Sequence, residues 1–150
     1  MMQQAVIIDS VLPQKNMLPE ADVFEIEWFE TQKHKFSRQT KTGVLLQLIN
    51  TNKKEWNHAD ALYNNGKLVA QIFIKPALTI SFVSNQANEV ADFCYYIGNR
   101  HLPVFTEPEA HLFYVPYDGN LYEQVVAKFA DKITLSERQL FTQNLLKAKK

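Results

Sequence analysis

The pattern of apolar and polar positions changes period near residue 76. Up to about Pro76 it is the pattern of strands and turns. Ala5 to Ile8 is a short apolar run. Between Val23 and Glu30, Phe24, Ile26 and Trp28 fall on one face, with Glu25, Glu27 and Glu30 interleaved among the rest, which is the period of two of a half-buried strand. His34, Phe36, Arg38 and Thr40 share a face in the next segment, against Lys35, Ser37, Gln39 and Lys41. Gly43 punctuates, and Val44 to Ile49 is a β-branched and leucine-rich run. Asn64-Asn65-Gly66-Lys67 is a tight-turn signal, because Asn and Gly tolerate positive φ; it joins Ala61-Leu62-Tyr63 to Leu68 through Ile74. Strands at this spacing predict a small all-β domain, barrel- or sandwich-like, over residues 1–76, with no helix.

Beyond Pro76 the helical period enters. Leu78 to Val83 reads as a strand. Ser84 or Asn85 can cap a helix from about Gln86 to Ile97, with Val90, Cys94 and Ile97 on one face and Gly98 placed to end it. Pro103 to Thr106 and His111 to Val115 read as two strands. Asp118 is placed to cap a helix to about Ala130, in which Leu121, Val125 and Phe129 recur at i, i+4 and i+8. Ile133 to Leu135 is a last short strand. The order β-α-β-β-α-β predicts a ferredoxin-like domain over residues 77–150, and an α+β chain as a whole. The tail from Ser136 reads as helical near Leu140 and ends in solvated lysines. The boundary falls at Lys75-Pro76-Ala77, where the proline holds its neighbour extended.

Composition narrows the function. The 150 residues carry 16 basic and 16 acidic side chains, for a formal net charge of zero. That balance argues against a nucleic-acid or anionic-membrane partner, both of which call for a basic excess. Cys94 is the one cysteine, so the chain forms neither an internal disulfide nor a four-thiolate metal cage. Metal chemistry would rest on a few histidines. Met1-Met2-Gln3-Gln4 has no basic segment and leads into no signal-peptide core, and no run approaches a membrane span, so a cytosolic location is expected.

The densest polar stretch is Gly98-Asn99-Arg100-His101, between a helix and a strand. Imidazole is a common ligand for nickel, copper and zinc. The plainer reading is a surface histidine, or Arg100 and His101 pairing locally. One histidine cannot hold a metal alone, and the nearest helper in sequence is His111. No H-x-x-x-H, C-x-x-C or H-E-x-x-H spacing occurs, so a preformed single-chain site is not indicated. A two-fold axis beside His101 would supply a second imidazole without further residues. Such a site is open and under-coordinated, which suits a metal handed on. His34 reads as an edge or partly buried residue. His58, in a polar loop, is at most a weak secondary contact. Cys94 reads as a small buried side chain, and a Cys94–His101 nucleophilic pair is disfavoured because one side chain points to the core and the other lies past the helix end. Tyr95, Tyr96, Phe113 and Tyr114 do not make an RNA-stacking sheet, since the first two are helical.

Phe93-Cys94-Tyr95-Tyr96-Ile97-Gly98-Asn99-Arg100-His101-Leu102-Pro103, followed by Val115-Pro116-Tyr117-Asp118, resembles the UreE family of urease accessory proteins, which are nickel metallochaperones. Phe36-Ser37-Arg38-Gln39-Thr40-Lys41-Thr42-Gly43 is similar to that family's basic, turn-containing segment before a strand. The resemblance implies an N-terminal β domain that binds a partner protein and a ferredoxin-like C-terminal domain that forms a homodimer. It implies nickel binding by His101 together with the same residue of the second copy, with Gly98, Asn99 and Arg100 as supporting motif. It also implies delivery of nickel to the urease apoprotein in a complex with other accessory proteins, including a GTPase.

Two features depart from what the resemblance implies for some members, which carry a histidine-rich C-terminal tail and histidines around the aspartate that opens the last helix. The end, Gln143-Asn144-Leu145-Leu146-Lys147-Ala148-Lys149-Lys150, has no histidine, so a reservoir of several ions is not expected. The residues around Asp118 are Tyr117, Gly119 and Asn120, so an auxiliary histidine site there is missing. The expectation is therefore a non-enzymatic Ni(II) carrier, with His101 as ligand and His111 as a weaker candidate, in which Zn(II) or Cu(II) competes in vitro. A dimer of dimers around one metal is left open. The alternative is a protein-interaction adaptor in urease assembly whose metal binding is incidental, and which works through the Val23 to Lys41 surface.

Overall fold

The computed structural model describes residues 4–50 and 55–146, and divides into two compact units, Met1–Lys75 and Pro76–Lys150. The amino-terminal reading of Met1-Met2-Gln3 and the solvated lysines at 147, 149 and 150 lie outside the described residues. The chain is α+β, with strands in several sheets and two α-helices among the described residues.

The first unit holds β1 (Val6–Ile7), β2 (Ser10–Leu12), β3 (Val23–Ile26), β4 (Lys35–Gln39), β5 (Leu45–Ile49), β6 (Ala61–Asn64) and β7 (Lys67–Ile74). A three-stranded sheet has the order β1-β5-β4 and a four-stranded sheet the order β2-β6-β7-β3. The β1–β5 and β3–β7 pairs are parallel and the others antiparallel. The alternation read from the sequence is the alternation of burial. Phe24 and Ile26 are buried around exposed Glu25, and Phe36 is buried between exposed Lys35 and Ser37. The Phe36 ring meets Phe24 edge-on at 5.8 Å between centroids and Trp56 at 6.2 Å, which ties β4 into the core. The β6–β7 turn is built as its residues demand, with φ of 51° at Asn65 and 76° at Gly66.

The strand expected to run to Glu30 stops at Ile26, and Trp28–Glu30 forms a 3-10 turn. The cause is local. The Glu30 carboxylate accepts from the Glu27 backbone N–H at 2.9 Å, and this side-chain bond competes with the ladder. The same carboxylate accepts two bonds from Arg38, at 3.0 and 2.8 Å, a bidentate pair that anchors the turn beside β4.

These contacts make the first unit sensitive to acid. The Arg38 hydrogen bonds are the chief reason that Glu30 titrates below its ordinary 4.5. Burial pushes Asp22 up, but bonds from the Thr40 and Thr42 hydroxyls and from two backbone N–H groups outweigh it and hold Asp22 below 3.8. Burial pulls His58 below 6.5. In all three the folded form holds its proton less tightly than the unfolded chain, so the stabilisation is present at neutral pH and is lost as pH falls. The His58 contribution fades first, below 6.5, and the two carboxylates follow below about 4.5. The melting temperature of the first unit is expected to fall in these two steps in a pH series. In His58→Gln, whose amide oxygen can still accept from the Ile74 N–H, the upper step should vanish.

The second unit holds β8 (Ala77–Val83), α1 (Ala87–Gly98), β9 (Phe105–Glu107), β10 (Leu112–Pro116), α2 (Gly119–Phe129) and β11 (Ile133–Arg138). Its sheet has the order β11-β8-β10-β9, with every neighbouring pair antiparallel. Ile80, Phe82 and Val115 of the sheet pack with Phe93 and Ile97 of α1 and with Leu121 and Val125 of α2. Asp118 caps α2 as read from the sequence, its Oδ1 accepting from the Leu121 N–H at 2.9 Å.

Two expectations are corrected at the ends of elements. Neither Ser84 nor Asn85 is the N-cap of α1, because Gln86 occupies that position. Ser84 lies just upstream, where its hydroxyl accepts from the Gln86 N–H at 3.1 Å and donates to Glu89 at 2.7 Å. The tail is not helical near Leu140. Ser136, Glu137 and Arg138 continue β11 by pairing with Thr79, Leu78 and Ala77, Leu140 is buried, and a 3-10 turn follows at Thr142–Asn144. Ladder bonds to β8, and the Thr79 hydroxyl donating to the Ser136 carbonyl at 2.8 Å, outcompete a weak helical period.

Candidate metal site

The site begins where α1 ends. Gly98 was placed by sequence as the residue outside the helix. It is instead the last helical residue, followed by Asn99 in the ordinary right-handed region. The left-handed position falls three residues later, on His101 itself, with φ of 57°. A tight turn carries the chain there. The Asn99 N–H donates to the Tyr95 carbonyl at 3.0 Å, Arg100 to Ile97 at 3.0 Å and His101 to Gly98 at 2.9 Å. Histidine is one of the residues enriched among non-glycine left-handed positions, yet the conformation is costly enough to imply that the turn is held from outside.

Arg100 does that holding. Its guanidinium lies 3.6 Å from the Tyr96 ring centre, and its Nη1 donates to the Tyr96 carbonyl at 3.0 Å. This fastens the turn onto the last carbonyls of α1, where a cation is favoured by the helix dipole. Tyr96 is itself tied to α2 by its hydroxyl, which donates to Gln124 at 2.9 Å. The Tyr96–Arg100 spacing of i, i+4 is the signal in the sequence that points to this stack. His101 is exposed, as are Leu102 next in sequence, at 37%, and Tyr95 in the last turns of α1, at 73%. An accessible imidazole on a braced turn is a donor presented outward.

The other candidates are placed as follows. His111 was expected on a strand, in alternation with Phe113 and Val115. It precedes β10, in a left-handed conformation of φ 52° that ends a 3-10 turn at Pro108–Ala110, and it is exposed. His34 is exposed just before β4. His58 is structural: its Nδ1 accepts from the Ile74 N–H at 3.1 Å and its ring meets Phe73 edge-on at 5.3 Å. Cys94 packs against the core of the second unit, and burial pushes its thiol up, away from the thiolate a nucleophile needs. Among the described residues no three His, Cys, Asp or Glu side chains gather into a metal-holding group.

No family model matches the chain. It is similar to curated proteins of several bacteria. It is 28% identical over 107 residues to the urease accessory protein UreE of Acetivibrio thermocellus, a match covering 71% of this chain and 69% of that protein. It is 29% identical over 108 residues to UreE of Actinobacillus pleuropneumoniae, covering 71% of this chain and 56% of the relative. With UreE of Flavobacterium johnsoniae it shares 28% over 108 residues, 71% of this chain and 64% of the relative. The match thus spans less than two thirds of the length of the last two relatives. The resemblance to the UreE family is thus met by several relatives, which by name are urease accessory proteins.

Proposed function

We propose that this chain is a member of the UreE family and works in urease maturation as a metallochaperone, binding Ni(II) between two copies of itself through His101 of each and releasing it to the urease apoprotein. The observation that carries the reading is the outward presentation of His101 on a braced left-handed turn, in a chain whose described residues gather no three-donor metal group. A donor so placed is completed most economically by its own symmetry mate. Asn99 and Arg100 shape the turn, Gly98 closes the helix, and His111 is a candidate second donor. Asp118 is engaged as a helix cap.

The second unit is read as ferredoxin-like, a reading supported by the strand order β11-β8-β10-β9 with two helices in the sequence positions of that fold. It is the proposed dimerisation half. Residues 1–76 are the proposed partner-binding half, read as a sandwich-like β domain from its two sheets, and the partners are urease and other accessory proteins, including a GTPase. A cytoplasmic location fits this work. Among the described residues no helix is long and apolar enough to cross a membrane.

Calorimetric titration of Ni(II) into the full chain tests the reading. The expected stoichiometry is one ion per two chains. Binding should weaken in acid, because a ligand imidazole must be neutral. Zn(II) and Cu(II) should compete, Cu(II) more strongly. One or more ions per chain would contradict the shared site. The adaptor reading predicts capture of urease subunits that is indifferent to metal and to His101.

A further inference from the structure

The exposed edge of β4 has no role in metal binding. In the order β1-β5-β4 that strand has, among the described residues, a paired strand on one side only. Its ladder is bracketed by the Thr40 N–H donating to the Val44 carbonyl at 2.7 Å and the Asn50 N–H donating to the His34 carbonyl at 2.8 Å. In an antiparallel pair the residues that exchange bonds alternate with those that do not. His34, Phe36, Arg38 and Thr40 therefore bond towards β5, and Lys35 and Ser37 turn their N–H and C=O groups to the open edge. The Lys41 N–H, bonded to the Val23 carbonyl at 2.8 Å, closes the edge further along. The open stretch is thus Lys35 to Ser37, and both side chains at its ends are exposed.

The charge around this stretch is one-sided. Residues 31 to 41 carry Lys33, Lys35, Arg38 and Lys41 and no acid. Glu30 engages Arg38 and Lys33, whereas Lys35 and Lys41 form no ion pair among the described residues. Such lysines protect an edge from joining copies of itself, because like charges would meet. The same lysines admit a strand of opposite charge. The 3-10 turn fixed to Arg38 by Glu30 carries Phe29, which is 67% exposed. A nucleic acid is the poorer fit, since the chain as a whole has no basic excess to neutralise phosphates.

We propose that the Lys35–Ser37 edge of β4 receives an extended acidic segment of a partner protein as an added strand. Backbone bonds to Lys35 and Ser37 give the register, and Lys35 and Lys41 select the charge. This names the docking surface within the partner-binding half and rests on that reading of residues 1–76.

The test is fluorescence anisotropy of a labelled synthetic peptide, alternating glutamate with threonine and valine, titrated with the full-length chain. Saturable binding that weakens with salt is expected. Ser37→Pro removes one edge N–H at a site where proline is tolerated, and should weaken binding about tenfold. Ser37→Ala keeps the N–H and should bind as the parent does, and Lys35→Glu should weaken binding. Melting curves confirm that the variants fold. No peptide binding, binding unmoved by Ser37→Pro, or equal binding of a single-stranded oligonucleotide of the same charge would overturn the inference. Co-purification with urease subunits separates the two levels. Capture retained by Ser37→Pro in the absence of peptide binding overturns this surface and leaves the partner-binding reading standing. Loss of capture by the parent chain overturns that reading itself.

Discussion

In His101→Ala, specific Ni(II) binding is expected to disappear while the fold and the pairing of chains persist. The imidazole is exposed, so its removal opens no buried cavity. Because both copies lose their ligand in one substitution, the affinity loss should exceed the roughly 10–100-fold of a supporting-shell change. Alanine also carries a conformational cost at φ 57°, about 1–2 kcal/mol for a left-handed residue with a Cβ. His101→Asn removes the ligand but suits that conformation better, which separates the two effects. Both variants should lose nickel in equilibrium dialysis and elute with the parent in size exclusion. Nickel retained by both would remove His101 from the site.

The second large effect lies in the core behind that turn. Phe93 of α1 is fully buried, stacks on Phe82 of β8 at 4.4 Å between nearly parallel rings, and meets Phe129 of α2 edge-on at 5.5 Å. It joins both helices to the sheet. Phe93→Ala should cost about 3–5 kcal/mol, because the lost transfer energy adds to an unfilled cavity. That is a large part of the 5–15 kcal/mol that typically holds a domain folded. Denaturant unfolding should show the second unit melting early, with the first unit little changed. Phe93→Leu, which leaves a smaller void, should lose less. A Phe93→Ala chain as stable as the parent would mean that the α1 packing described here is wrong.

Much of this architecture is legible in the sequence because burial and period coincide. Phe24 and Ile26, Phe36 and Leu46 to Leu48 alternate as their strands do, and Asn65-Gly66 sits where positive φ is required. What the period could not supply was the outcome of local competition. Glu30 bonding to the Glu27 backbone N–H ends β3 four residues early. Three ladder pairs hold Ser136 to Arg138 in β11 against a weak helical pattern. At the candidate site the motif was legible but its conformation was not. Gly98 looked like the left-handed residue because glycine adopts that region at no cost, yet the helix keeps it, and His101 takes the strained position with Arg100 braced on Tyr96. Which residue carries strain depends on tertiary support, and a single sequence does not display it. His111, read as a strand residue, is displaced into a turn by the Pro108–Ala110 segment for the same reason.

If one histidine per chain makes a nickel site where two chains meet, crystals grown with Ni(II) and measured on either side of the nickel absorption edge should show it. A single anomalous peak is expected on a two-fold axis, within bonding distance of both His101 side chains. A peak centred on His34, His58 or His111 without His101, or two chains paired with their His101 residues apart and no nickel between them, would contradict it.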